Sequence, residues 1–393
     1  MFVTALRTES QTMIEDYTLF DVPPRWLFLR VETTDGIVGW GEPIVEGQRQ
    51  AVKAAVRKLM DEYLVGSDPL RTEYHWQQMY RGGFYRGGPV LLSAIAGIDQ
   101  ALWDIKGKHF DEPVAHLLGG PVRDKIRLYH WLSGDQIIDP SAEATQSAEN
   151  GFEAVKFNAT GRLEHVDSVE KVSEAASTLS AVFEAVSDEL DIILDFHGRA
   201  SRAMAPRLLE AVEPYEPLFV EEPLRPEYDH HLQNLSPSTS IPLATGERLY
   251  SRWDCQDLIE SGAIELIQPN VSHAGGITEV MKIAALAETH DVSLSPVCSV
   301  GPISFAASLQ VDVAVQNFSI QEQTTLFQDT TSYGRIVSNT DDFEIEDGYC
   351  TLPDRPGLGI ELDEDVVREI ANDEATEWST PTWEHDDGSL AEW

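Results

Sequence analysis

The chain has 393 residues, 42% of them hydrophobic, and its 67 acidic residues against 28 basic ones give a formal net charge of −39 at pH 7. It contains no run of about 18 apolar residues, so we predict no membrane-spanning helix, and so acidic a surface disfavours nucleic acid as a partner. Repulsion among so many negative charges would weaken the folded state at ordinary ionic strength, but molar salt shortens the screening length to about 3 Å and largely removes it. We therefore predict that the protein comes from a salt-rich, haloarchaeal cytoplasm.

The first 124 residues predict a small α+β capping domain. The segment from Arg25 to Thr33 is typical of a strand, Thr34-Asp35-Gly36 of a turn, and the segment from Ile37 of a return strand. Apolar residues at helical spacing predict helices over residues 50–64 and 91–106. The start of the chain lacks a basic segment followed by an apolar core, so no signal peptide is expected.

From about Lys125 the pattern alternates between strands and helices, which predicts a (β/α)8 barrel over residues 125–346. Helical stretches such as 168–186 and 276–290 separate the strands. The eight predicted strands end near Trp131, Lys156, Asp195, Glu221, Glu247, Asn270, Val297 and Glu322. Residues 347–393 end in a Trp-rich tail, which we predict to pack back on the capping domain.

Three acids each follow an apolar, strand-like run, at equal intervals of 26 residues: Asp195, Glu221 and Glu247. This interval fits one strand, one helix and two short loops, so three successive barrel strands would each end in a carboxylate. An acid beside such a run is costly to bury unless it is paired or bound to a metal. Three oxygen ligands at the carboxyl ends of the strands predict a site for Mg²⁺ or a similar cation.

The three cysteines, Cys255, Cys298 and Cys350, lie far apart without metal-ligand spacing. They indicate reduced thiols in a cytoplasmic protein. Asp99 and Asp104 on the long helix are predicted to be structural.

The order of elements and several motifs resemble the mandelate racemase subgroup of the enolase superfamily, and within it the galactonate dehydratase family. The motifs at the predicted strand ends are Lys156-Phe-Asn158, Asp195-Phe-His197, Glu221-Glu222-Pro223, Gly246-Glu247-Arg248 and Gln321-Glu322-Gln323. Further matching segments are 39–43, 83–89, 93–108, 272–279 and the ending Ala391-Glu392-Trp393. The resemblance extends over the whole chain.

The resemblance implies a Mg²⁺-dependent carbon–oxygen lyase that dehydrates a sugar acid to a 2-keto-3-deoxy acid through an enediolate. It implies that Asp195, Glu221 and Glu247 bind the metal ion. His197 would be the general acid that protonates the departing C3 hydroxyl, although a role in orienting a metal ligand is the alternative. Relatives are dimers or octamers, so a homo-oligomer is expected.

Other site residues follow from the same resemblance. Lys156 would supply positive charge to the substrate carboxylate, with a barrel salt bridge as the alternative, and Glu322 would hydrogen-bond the enolate side of the site. Asn158 would hydrogen-bond substrate, because an amide cannot act as a base. Arg25 and Tyr85 are predicted to close over the sugar chain.

One departure from the family pattern affects the expected chemistry. The resembled enzymes carry a His base at the seventh strand end and a carboxylate that orients it at the sixth, but this chain has Val297 and Asn270 there. Loss of a positioned base costs about 10²–10⁴ in rate. We therefore predict a one-sided syn elimination in which His197 is the proton carrier. His273 is predicted to have a backbone-capping or surface role.

Two alternatives stay open. The substrate could be another aldonate, such as gluconate or xylonate. The protein could also be a metal-binding member with little or no turnover, because the usual base is missing.

Overall fold

The computed structural model describes residues 12–132, 139–186, 190–325, 327, 329, 333–372 and 378–393. Its first part contains three strands, four α-helices and a π-helical turn, Met60–Leu64, that continues the first helix. These elements are β1 Ile14–Val22, β2 Trp26–Thr33, β3 Val38–Gly41, α1 Arg49–Leu59, α2 Thr72–Arg81, α3 Pro89–Phe110 and α4 Val114–Leu117. The strands form an antiparallel sheet in the order β1-β2-β3. The predicted strand–turn–strand unit and the long helix are therefore both present.

Helix α3 is buried along most of its length because it is apolar on nearly every side. Two glycines let it lie close to β3. A Cβ on Gly41 would lie 1.8 Å from the main-chain oxygen of Gly97, and one on Gly97 would lie 2.4 Å from Pro43. A larger residue at either position would push the sheet and the helix apart.

The second part alternates strands and helices: β4 Ile126–Trp131, α5 Pro140–Glu149, β5 Ala154–Asn158, α6 Val169–Val186, β6 Asp191–Asp195, α7 Ala205–Val212, β7 Val220–Glu221, α8 Leu232–Leu235, β8 Leu243–Thr245, α9 Arg252–Glu260, β9 Leu266–Ile267, α10 Ile277–Glu288, β10 Ser293–Leu294, α11 Pro302–Asp312 and β11 Gln321–Gln323. The parallel strands follow the order β10-β9-β8-β7-β6-β5-β4-β11. A parallel bridge from Leu294 to Phe318 and a hydrogen bond from Glu322 N to Pro296 O (3.2 Å) join β10 to the β11 segment. The predicted (β/α)8 fold is confirmed.

The barrel interior below the strand ends is filled by one small apolar layer. Its members come from nearly every strand: Tyr129, Ala154, Ile193, Phe219, Ala244, Leu266 and Ile320. Such a layer makes the barrel a packed core rather than a pore, so chemistry is confined to its mouth. Among the described residues no helix is both long enough and apolar enough to cross a membrane.

The last part contains α12 Tyr333–Ile336, β12 Tyr349–Cys350, α13 Glu364–Asn372, β13 Trp383–Glu384 and β14 Leu390–Ala391. It divides its contacts between the two domains. Helix α13 begins against the capping sheet, where Arg30 Nε lies 3.0 Å from Glu364 Oε2. The antiparallel pair β13–β14 instead lies against barrel loops, for example with the Arg199 guanidinium 4.7 Å from the Trp383 ring. We predicted that residues 347–393 pack on the capping domain. Helix α13 does so, whereas the terminal hairpin packs on barrel loops.

Candidate active site

A cavity of about 230 Å³ opens at the carboxyl ends of the barrel strands. Three parts of the chain line it. The barrel contributes Trp131, Lys156, Asp195, His197, Glu222, Glu247, Arg248, Tyr250, His273, Ser299 and Glu322; the capping domain contributes Arg25, Val45, Glu46 and Pro89; the tail contributes Trp378, Thr380 and Trp393.

The three predicted metal ligands lie at the ends of adjacent parallel strands. Asp195 ends β6 and is the register partner of Glu221, which ends β7, while Glu247 lies two residues beyond β8. Burial raises the pKa of Asp195 to about 6, and that of Glu221 and of Glu247 to about 8. Neighbouring negative charges add to the effect, including that of Asp195 on Glu221 and of Glu221 on Glu247. Three carboxylates that repel one another in a buried position favour a cation between them.

Lys156 places a positive charge beside Glu221. Its Nζ lies 2.7 Å from Glu221 Oε2 and 2.5 Å from Glu322 Oε2. Burial alone lowers the pKa of Lys156, but the charges of the two glutamates raise it well above its usual value. In the part of the chain that the structure describes, no three His, Cys, Asp or Glu side chains are grouped closely enough to hold an ion as they stand. The donor set suits a hard cation, and the ligand assignment stays a prediction.

Glu322 is fixed from two further directions. Its Oε1 accepts a hydrogen bond from Cys298 N at 2.9 Å, and its Oε2 accepts one from the Tyr129 hydroxyl at 3.1 Å. Lys156 forms the buried salt bridge considered as the alternative and also lines the cavity, so its role toward a substrate carboxylate stays a prediction. An ammonium held in this way can attract a substrate carboxylate.

Replacing Lys156 with Met is expected to destabilise the fold by about 3–5 kcal/mol, because it leaves Glu221 and Glu322 buried without their counter-charge. Chemical denaturation in molar KCl measures the loss. The matched control is Lys282→Met, since Lys282 lies 2.6 Å from Glu73 in a more exposed pair that contributes about 0–1 kcal/mol. Equal losses in the two variants would contradict the prediction.

His197 lies at the edge of the cavity in an unusual backbone conformation. Its φ is +52°, in the left-handed region that a residue with a side chain adopts only when its surroundings impose it. Its main-chain N–H donates to Asp195 Oδ1 at 2.6 Å. On the ring, Nδ1 lies 3.1 Å from the main-chain oxygen of Trp393. The strand end and the tail together fix the direction of this imidazole.

The sixth and seventh strand ends carry no group that could exchange a proton at Asn270 or Val297. The two residues face each other in a parallel bridge, and Val297 is 1% exposed and outside the cavity lining. Asn270 Oδ1 accepts from Ser272 N at 2.9 Å, whereas its Nδ2 is buried without a hydrogen-bond partner among the described residues. That these residues replace a His–carboxylate pair stays a prediction.

His273 is a cavity residue that the sequence reasoning misplaced. Its side chain is buried rather than on the surface. Its Nδ1 lies 3.1 Å from Ser93 Oγ, and its Nε2 lies 3.6 Å from Glu46 Oε2. Burial lowers the pKa of His273 but Glu46 raises it above the usual value, and the pKa of Glu46 is lowered to about 2 despite burial because of His273 and Arg25. Only the place of His273 in the matching segment 272–279, just beyond the predicted sixth strand, could have indicated that it lies at the cavity.

Of the three predicted substrate-binding residues, the structure brings one to the cavity. Arg25 lines it and donates from Nη2 to Ser299 O at 2.5 Å. Asn158 does not line the cavity, although it ends β5 beside Asp195 in register. Tyr85 is 87% exposed, outside the cavity, in a glycine-rich loop.

Two family models match the chain. Residues 140–366 match the model described as "Enolase C-terminal domain-like". Residues 23–119 match the "Mandelate racemase / muconate lactonizing enzyme, N-terminal domain". The chain belongs to the mandelate racemase group of the enolase superfamily. The N-terminal match spans β2 to α4, and the C-terminal match spans α5 to the start of α13.

Individual members of this superfamily are similar over nearly the full length. D-galactonate dehydratase of Cronobacter sakazakii (strain ATCC BAA-894) is 47% identical over 97% of this chain and 100% of its own, and that of Xanthomonas oryzae pv. oryzae (strain PXO99A) is 47% identical over 96% and 98%. Among solved structures, an enolase from Agrobacterium radiobacter, proposed to be a galactarate dehydratase and bound to sodium and L-malate, aligns with a TM-score of 0.88 and 32% identity over 96% of this chain and 99% of that one.

Proposed function

We propose that this protein is an acid-sugar dehydratase, a carbon–oxygen lyase that converts an aldonate such as galactonate into a 2-keto-3-deoxy acid. The observation that carries the proposal is the meeting, at one cavity, of the acids at the ends of β6 and β8 with His197 and Lys156. Full-length similarity to two D-galactonate dehydratases supports the same class of substrate. A 2-hydroxy acid needs positive charge at its carboxylate and a proton carrier at C2 and C3, and the cavity offers both.

Asp195, Glu221 and Glu247 would hold Mg²⁺. When bound, a divalent cation supplies positive charge that stabilises the anion formed as the C2 proton leaves. Lys156 adds a second positive charge on the same side of the cavity, held by Glu221 and Glu322. These charges act on the carboxylate end of the substrate.

His197 would carry the proton in a syn elimination. The ring takes the C2 proton of the sugar acid and then delivers it to the C3 hydroxyl, which departs as water with the electrons of the C3–O bond. The enol that is left tautomerises to the 2-keto-3-deoxy acid. Two observations support this role for His197. Val297 and Asn270 carry no titratable side chain, and the two ring nitrogens of His273 already contact Ser93 and Glu46.

One wall of the cavity would bind the hydroxyl groups of the sugar chain. There, His273 Nε2 lies 3.6 Å from Glu46 Oε2, and Arg25 Nη1 lies 4.0 Å from Glu46 Oε1. A carboxylate accepts hydrogen bonds from hydroxyls, and an imidazolium and a guanidinium donate them. This wall rather than the acid cluster would select among aldonates.

The proposal is tested by incubating the protein in molar KCl with Mg²⁺ and a series of aldonates that includes galactonate, gluconate and xylonate. We expect a 2-keto-3-deoxy acid from at least one of them. Mg²⁺ binding without product from any member would instead support a metal-binding protein with little turnover. Molar KCl is chosen because the net charge of −39 favours a salt-rich environment.

The apparent affinity for Mg²⁺ is expected to rise between about pH 6 and pH 8. Protons compete with the ion in this range, because the pKa of Asp195 is raised to about 6 and that of Glu221 and Glu247 to about 8. Without metal the folded state holds protons that the unfolded chain releases above its carboxyl pKa of about 4, so stability falls as pH rises toward 8.

Thermal unfolding across this pH range, with and without saturating Mg²⁺, measures both effects. Glu247→Gln is the control variant, since it removes one predicted ligand. An increase in melting temperature with Mg²⁺ that is independent of pH, or unchanged in the variant, would contradict the ligand assignment.

A further inference from the structure

The tail of the chain forms one wall of the cavity. Trp378, Thr380 and Trp393 line it together with barrel and capping residues. The Trp378 ring lies 5.9 Å from that of Trp393, and the Arg25 guanidinium lies 5.5 Å from Trp378. The tail therefore borders the cavity next to Arg25 of the capping domain.

Contacts with three successive barrel loops hold the terminal hairpin in place. After β5, Arg162 Nη2 lies 2.8 Å from Asp386 Oδ1. After β6, the Arg199 guanidinium lies over the Trp383 ring. After β7, Arg225 Nε lies 3.5 Å from Glu392 Oε1. Because these contacts come from separate loops, the hairpin has a defined position across the barrel mouth.

This position brings Trp393 against His197. The two rings meet edge to face, with centroids 5.5 Å apart and an angle of 86° between their planes. The main-chain oxygen of Trp393 lies 3.1 Å from His197 Nδ1, and since an oxygen of this kind only accepts, this contact favours a hydrogen on Nδ1. Arg199 Nη2 also lies near Nδ1, but farther away at 3.4 Å, and Arg199 Nη1 donates to Thr160 O at 2.5 Å.

We propose that Trp393 is a positioning residue that selects the Nδ1–H tautomer of His197 through its main-chain oxygen. The other ring nitrogen, Nε2, is then the atom that exchanges a proton with a substrate in the cavity. The terminal hairpin thereby orients the imidazole of His197, as a buried carboxylate orients the histidine of a catalytic dyad. This inference rests on the proposed dehydratase function for its kinetic consequence, but the tautomer itself does not depend on turnover.

Two variants separate the oxygen of Trp393 from its ring. Trp393→Phe keeps the main-chain oxygen, so His197 is expected to keep its Nδ1–H tautomer in this variant. A variant lacking Trp393 is expected to lose kcat by about 10²-fold with little change in KM, because a misplaced catalytic group costs about that much. In the His197→Asn background the same deletion should cost nothing further, an outcome that a general loss of packing would not produce. An additive loss in the double variant, or an unchanged kcat in the deletion variant, would overturn the proposal.

A spectroscopic measurement decides the point without activity. The ¹⁵N shifts of the His197 ring, assigned by comparison with His197→Asn, should show Nδ1–H in the wild type and a mixture of tautomers once Trp393 is removed. If the deletion variant does not fold, Arg225→Met, which releases only the Glu392 anchor, should shift the signals in the same direction. If the wild type dehydrates no sugar acid, the proposed function fails. If the ring shows the opposite tautomer, this inference fails.

Discussion

Replacing His197 with Asn is expected to lower kcat by about 10²–10⁴-fold, equivalent to about 3–5 kcal/mol of transition-state stabilisation. Asn can keep hydrogen bonds but cannot take up the C2 proton or return it to the departing hydroxyl. The other cationic groups of the cavity do not replace it. Lys156 is held in its charged form by two glutamates, and His273 has Ser93 and Glu46 at its two nitrogens.

The measurement is kcat at saturating Mg²⁺ on the best aldonate, together with a thermal shift on adding Mg²⁺. The thermal shift should persist in the variant, since the predicted ligand Asp195 is retained. His290→Asn is the matched control, because His290 is an exposed histidine beyond the end of α10. Turnover within a few-fold of the wild type in His197→Asn would refute the one-sided elimination.

The double change Asn270→Asp with Val297→His is expected to raise galactonate dehydration by about 10²–10⁴-fold, the effect of a positioned base. The two residues already face each other across the bridge between the β9 and β10 strand ends. The buried Nδ2 of Asn270 has no hydrogen-bond partner among the described residues, so the amide gives up little when it is replaced. The introduced carboxylate can then orient the introduced imidazole.

Each single change is the control for the double one, because an imidazole without its carboxylate partner lacks orientation and a carboxylate alone lacks the base. The rate with galactonate should therefore rise much more in the double variant than the two single effects predict. If neither single nor double variants change the rate, the predicted register at the seventh strand is wrong, or the imidazole cannot reach the cavity from a position that is 1% exposed.

The barrel and the acids at its strand ends could be predicted because each depends on local patterns. An apolar run followed by an acid, repeated at the βα interval, places Asp195 and Glu221 at the ends of adjacent strands, and the structure puts them in register. The later strands are less regular than predicted. Strand β9 ends at Ile267 and β10 at Leu294, so Asn270 and Val297 lie three residues beyond them.

Features that depend on distant segments could not be predicted in the same way. The pairing of His273 with Glu46 joins a barrel loop to a capping loop, and no periodicity in the sequence connects the two. The same holds for Trp393 and His197, since the aromatic content of the tail predicted packing on the capping domain and not this contact with a barrel loop. Tyr85, which the resemblance predicts to close over the sugar chain, is exposed to solvent, and that role stays a prediction.

The capping domain contacts the barrel just beyond the ends of its sixth and seventh strands. From α3, Gln100 Nε2 donates to Ser272 Oγ at 3.0 Å, and Trp76 on α2 donates to Gly275 O at 2.8 Å. Just beyond β3, Glu42 accepts from Gly301 N and Ser304 N at the start of α11. Separation of the capping domain from the barrel would leave all of these buried groups without their hydrogen-bond partners. We therefore expect calorimetry to record the two domains unfolding in one cooperative step. An exchange of capping domains between relatives would accordingly also affect the barrel segments that carry His273 and Ser299, which line the cavity.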